Sequence, residues 1–195
     1  MIGALHLAPR AYLAPREYTG GNHETRKAPT MANTLAIMIT MTTYGTWLRG
    51  DARGWVDKAV VFPPDPDLEA ADKARLKHSI YRFADADGYR VGSLMGESLC
   101  GRLGLRIYAM TVQTWHAHFV IGATSHPVGQ VAKCAKDAVR WGLRPGRPIW
   151  GDGYDKRFCY DERSVRARIE YVQRHNLQAG RPARPWGFIE EWRLQ

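Results

Sequence analysis

The chain has 195 residues, 45% hydrophobic and 24% charged, with 28 Lys and Arg against 19 Asp and Glu. That length supports one well-buried core and is short for two, and the composition is that of a folding globular chain rather than a disordered one. A formal charge of +9 points to a polyanionic partner, nucleic acid ahead of a membrane surface. No apolar run approaches the roughly 20 residues of a membrane-crossing helix, and no secretory apolar core opens the chain, so no membrane is expected and the expected location is cytoplasmic. Cys100, Cys134 and Cys159 lie far apart without a CxxC pair, which argues against a zinc ribbon or a disulfide framework.

Residues 1–30 carry Gly20-Gly21 and three prolines without periodicity, and read as a flexible extension, with Met31 as an alternative start. The β-branched run from Thr34 to Tyr44 predicts a buried strand. A glycine-punctuated, basic and aromatic loop follows from Gly45 to Asp57. Helices are expected over 67–81 and, shorter, over 92–102, both covering one face of a sheet. Leu105 to Val112 and Trp115 to Ile121 then form an antiparallel pair around a tight connection at Gln113-Thr114. Val131, Cys134, Ala135, Val139 and Leu143 mark one face of a helix over 128–143. A Pro, Gly and Arg-rich loop leads to a last helix beginning at Asp161 and ending near Asn176, with acidic residues in its first turn as the helix dipole favours. This order predicts an α+β fold, an antiparallel sheet with helices packed on it. The expected domain spans 31–180, with 181–195 as a C-terminal tail.

His116-Ala117-His118 lies inside a predicted strand, where alternation puts both imidazoles on one face. Trp115, Ala117, Phe119 and Ile121 are expected on the other face, where they fix the register. Imidazole is the commonest protein metal ligand, so the pair is a candidate metal site. On this pattern alone a pair of satisfied structural histidines is an equal reading.

On the last helix, Val165, Ile169 and Val172 form the buried stripe. Ser164, Arg168, Tyr171 and His175 form a second stripe beside it, so Tyr171 and His175 are neighbours one turn apart. Packed on the histidine face, this helix would offer His175 to the same ion and Tyr171 to a phosphate held there. A partly buried tyrosine and a surface histidine near a helix C-terminus is the plainer alternative.

Together these segments resemble the single-tyrosine HUH transposases, and most closely the REP-associated tyrosine transposases, over about Met31 to Gly180. The family strand motif, His-hydrophobic-His after a hairpin turn, stands here as His116-Ala117-His118. The family turn reads Met-Pro-Asn, whereas this chain has Gln113-Thr114-Trp115. The family helix signature Tyr-Ile-x-x-Asn-Pro-x-x-Ala-Gly aligns without a gap with residues 171–180, matching at Tyr171, Ala179 and Gly180. The family's third ligand, a Gln or Asn four residues after the tyrosine, is His175 here. Trp150-Gly151-Asp152-Gly153-Tyr154 is similar to the family's Trp-x-x-Gly-Tyr segment.

The resemblance implies the ferredoxin-like sheet of HUH nucleases and a nucleoid-associated enzyme. It implies a divalent ion, Mg²⁺ or Mn²⁺, on His116, His118 and His175, and a 5′-phosphotyrosine on Tyr171. The implied substrate is single-stranded DNA with REP-like hairpins, handled by a monomer or a homodimer. Three imidazoles are softer ligands than a set with an amide oxygen, which favours Mn²⁺. Lys133, Lys136, Arg140, Arg49 and Arg53 are candidate phosphate contacts, and Trp47 a candidate base-stacking ring. Two other functions fit the same residues: a domesticated hairpin-binding protein with weakened catalysis, and a metal-dependent hydrolase that activates water.

Overall fold

The β-branched run after Thr34 forms β1 (Ala36–Thr42) in the computed structural model, which describes residues 34–57 and 60–193. The expected extension over residues 1–30, and Met31, lie outside the described residues. Backbone contacts divide the chain into two units, which among the described residues are 48–75 and 34–47 with 76–193.

Within residues 48–75, the glycine-rich loop holds a short hairpin, β2 (Trp55–Asp57) and β3 (Val60–Phe62), pinned by a Trp55–Phe62 stack at 4.5 Å. A single helix follows, α1 (Pro66–Ala74), capped by Asp65. It stops well short of the 67–81 expected. None of its residues is buried, and propensity alone sustains only a short helix; beyond it the Lys77 and Tyr81 N–H groups donate to the Tyr44 hydroxyl and carbonyl instead of continuing the helix.

The larger unit continues with α2 (Asp87–Leu103), β4 (Ile107–Val112), β5 (His116–Gly122), α3 (Val128–Leu143), β6 (Asp155–Cys159) and α4 (Glu162–Gln178). The sheet order is β4-β5-β1-β6, antiparallel at every pairing. With α2 and α3 as the two crossovers this is the β-α-β-β-α-β arrangement of ferredoxin-like folds, as expected. β6 falls inside the segment read as a loop. Its sequence, Asp-Lys-Arg-Phe-Cys, is charged as an edge strand commonly is, which hides it from a search for apolar alternation.

Alternation divides the sheet's side chains between two layers. Ile37, Ile39, Met41, Ala117, Phe119 and Ile121 pack under α2 and α3, and burying a side chain such as Phe119 contributes about 1.5–3 kcal/mol. Ala36, Met38, Ala109 and Val120 pack under α4 with Val165 and Val172. An irregularity in the β4–β5 register between Ile107 and Ala109 resets the phase of β4. Thr111 therefore faces the α4 side, opposite His118.

α2 begins earlier than 92 because its glycines are not breakers here. Gly92 and Gly96 receive the rings of Trp186 and Phe188, which a Cβ at either position would overlap. The segment expected as a tail thus supplies core side chains, with Trp186 and Ile189 buried and Ile189 bridging to Ile107.

Candidate metal and tyrosine site

β5 carries His116 and His118 on its α4-facing side, and β1 lies beside it with Thr42 opposite His116 and Thr40 opposite His118. Both imidazoles are buried, 4% and 6% exposed. Thr40 Oγ1 lies 2.8 Å from His118 Nδ1. A hydrogen bond at Nδ1 leaves the Nε2 lone pair as the ligand atom, the arrangement in which outer partners orient metal-binding histidines.

Helix α4 brings the third imidazole. Asp161 and Ser164 form a capping box that fixes its start, and Val165 and Val172 seat it on the sheet. The fully buried Asn176 amide donates to the carbonyls of Met110 at 2.8 Å and Ala183 at 3.2 Å, anchoring the far end to β4. Gln113, in the hairpin turn, donates to Thr111 Oγ1 at 2.9 Å and to the His175 carbonyl at 3.2 Å. The backbone that carries His175 is therefore tied to the turn that precedes His116.

The outcome is one cluster. The ligand atoms of His116, His118 and His175 all lie within 4.8 Å of one another. Nitrogens roughly 2.1 Å from a common ion at tetrahedral angles stand about 3.4 Å apart, so the cluster is close to coordination spacing and ring adjustment would bring it there. Burial pushes the His118 imidazole well below its ordinary value, and His116 and His175 push the same way. Burial also lowers His175, helped by Arg174. Both rings are thereby held in the neutral form that ligates metal. The set fits a divalent ion of borderline softness.

Tyr171 completes the cluster from α4, its ring 5.4 Å from that of His118 and 4.8 Å from that of His175. The stripe read from the helix period is the one that faces the histidines. Tyr154 and Tyr160 make no ring contact with these imidazoles among the described residues; Tyr160 stacks on Phe158 instead.

No family model and no curated protein matches the sequence. Among solved structures, the chain is similar to a REP-associated tyrosine transposase bound to a REP hairpin. The identity is 9%, the match covers 80% of this chain and 75% of that one, and the TM-score is 0.48. It is also similar to a candidate transposase from Deinococcus radiodurans R1, at 15% identity over 80% of this chain and 97% of that chain, with a TM-score of 0.38.

The basic candidates are dispersed. Lys133, Lys136 and Arg140 lie on α3, across the sheet from Tyr171. Lys133 pairs with Asp137. Lys136 donates to the carbonyls of Gly151 at 2.7 Å and Gly153 at 2.6 Å, and burial lowers its pKa against the pull of Asp152. Arg140 lies 4.9 Å over the Trp141 ring. In the smaller unit, Arg49 pairs with Asp72 and Arg53 with Asp51, each at 2.6 Å. The Trp47 ring is 6.3 Å from that of Trp115, which lies 3.9 Å from His116.

That position corrects the expectation for Trp115. β5 begins one residue later, so strand alternation does not govern Trp115, and its ring turns to the histidines rather than to the layer of Ala117 and Phe119. Thr40 and Gln113 are further contributors that the sequence did not mark. Thr40 acquires its role only through the β1–β5 register, and Gln113 through the docking of α4.

Proposed function

We propose that this chain nicks and rejoins single-stranded DNA beside hairpins, with Tyr171 as nucleophile and His116, His118 and His175 as the ligands of a divalent metal ion. The observation that carries the reading is the convergence of three imidazoles, without a carboxylate in their ligand set, beside a tyrosine one helical turn from His175. When bound, the ion supplies Lewis acidity to a non-bridging oxygen of the scissile phosphate. Three neutral ligands leave the cation's charge uncompensated, which suits an anionic substrate.

A phenol with an ordinary pKa near 10 is a weak nucleophile at neutral pH, and position supplies much of what it lacks. The α4 backbone, held by the Asn176 amide and the Gln113 side chain, fixes the Tyr171 ring against the imidazoles. As the Tyr171 oxygen bonds to phosphorus, the P–O3′ bond breaks, the phenolic proton passes to water and the departing 3′ oxygen takes one up. The product is a 5′-phosphotyrosine and a free 3′-OH. A 3′-OH from another end reverses the step, so joining needs no external energy source. Trp47 and Trp115, beside His116, are positioned to stack an unpaired base.

The test is incubation of the full chain with hairpin-bearing single-stranded DNA and Mn²⁺, followed by denaturing gels and peptide mapping. A covalent adduct on Tyr171 is expected, lost in Tyr171→Phe while hairpin binding stays within about twofold, because the variant keeps the ring that packs α4. Hydrolysed 5′-phosphate ends without an adduct, or an adduct on Tyr154 or Tyr160, would overturn the assignment.

A further inference from the structure

At the C-terminal end of α3, Trp141 is 61% exposed, an unusual setting for the largest aromatic side chain. Arg140 covers one face of its ring at 4.9 Å. Arg144 donates from Nε to the Trp141 carbonyl at 3.1 Å, and Arg90, from α2, donates to the Gly142 carbonyl at 3.0 Å. All three guanidinium groups are on exposed residues, and none forms an ion pair among the described residues. By contrast, Arg49, Arg53 and Arg166 each pair with a carboxylate. Arg144 also has φ +47° and is the one non-glycine residue with positive φ among those described. A glycine would hold that cap without strain, and strain of this kind accumulates at functional positions.

The patch stands at the histidine end of the sheet. α3 follows β5 and runs back toward the level of His116. The loop after it is fastened there: Tyr44 donates to the Ile149 carbonyl at 2.8 Å and Thr43 bridges Trp150, immediately after Thr42, the partner of His116. A strand leaving the tyrosine side can therefore turn over this end of the sheet and reach α3.

The geometry points to a second nucleic-acid contact, in which the open face of Trp141 stacks a base of the single-stranded flank and Arg90, Arg140 and Arg144 hold its phosphates. It rests on the proposed function for its substrate. Clustered unpaired cations repel one another, and a polyanion relieves that repulsion while releasing its own counterions. An aromatic ring beside arginines binds single strands without needing a particular sequence. An uncharged partner would leave the guanidinium charges uncompensated, so the charge selects DNA over an apolar protein surface.

The experiment compares two probes on the full chain by fluorescence anisotropy: a hairpin with a long single-stranded flank, and the same hairpin without it. Trp141→Ala should weaken the flanked probe about tenfold, and Trp141→Phe should keep most of the affinity. Replacing Arg90, Arg140 and Arg144 together by Gln should flatten the slope of log K against log salt by about two. The unflanked hairpin should lose clearly less affinity than the flanked probe, and Mn²⁺ binding should not change. Equal binding of the flanked probe by the parent, by Trp141→Ala and by the triple Gln variant overturns this contact and leaves the proposed function standing. A parent dimer in light scattering that Trp141→Ala dissolves also overturns it, because a second copy then covers the patch. Failure of the parent to bind either probe overturns the proposed function, and this contact with it.

Discussion

Burial and two neighbouring imidazoles hold His118 well below its ordinary value of 6.5, which makes its protonation a stability term as well as a ligand property. The folded protein refuses a proton that the unfolded chain accepts once the pH falls below about 6.5, so stability is complete above that pH and declines as the pH drops toward the folded value. His175 is shifted in the same direction. In the metal-free protein the urea midpoint should therefore fall between pH 7.5 and 5.5, and His118→Gln should reduce that fall. A midpoint indifferent to pH in this window would mean that the imidazoles are not held neutral. Thr40 supplies a second residue-scale prediction. Thr40→Val keeps the shape but removes the oxygen 2.8 Å from His118 Nδ1, and loss of such an outer partner weakens metal binding by roughly 10–100-fold. Titration with Mn²⁺ or Co²⁺ checks this, and unchanged affinity would exclude Thr40 from orienting the ring.

At the scale of elements, the packing of α2 on the C-terminal segment is decided by absent side chains. Gly92 and Gly96 each accept an aromatic ring where a Cβ would overlap it. In an exposed helix Gly→Ala gains about 1 kcal/mol, but forcing atoms into a filled core costs about 1–3 kcal/mol. The overlap here is with rigid rings, so overpacking should win. Gly92→Ala is expected to lower stability, read by chemical denaturation, whereas the open Gly101, with nothing near its Cβ position, should tolerate Ala or gain from it. The helix 128–143 was legible because its apolar positions follow the helical period: Val131, Ala135 and Val139 of the expected stripe are buried, joined by Val128 and Ala132. α1 and β6 were not. α1 stops because the residues after it bond to Tyr44 rather than to the preceding turn, and β6 exists because β1 offers an unpaired edge. Both decisions belong to the neighbours, not to the local sequence.

For the whole molecule, the net charge of +9 sets a long-range field that attracts anions. Single-stranded DNA affinity should fall steeply with salt, by roughly 0.7 in log K per log unit of salt for each phosphate neutralised. Affinity equal at low and high salt would remove the basic surface as the binding site. Among the described residues no helix is long and apolar enough to cross a membrane. The sequence by itself determined which residues could do chemistry: alternation put His116 and His118 on one face, and the helical period put Tyr171 beside His175, because both rules are local geometry. Only the tertiary structure decided that these two faces meet, that Thr40 and Gln113 hold the imidazoles and their helix in place, and that Lys136 serves a loop. Those outcomes depend on strand order, on register and on the seating of α4, which arise from contacts between residues distant in the chain.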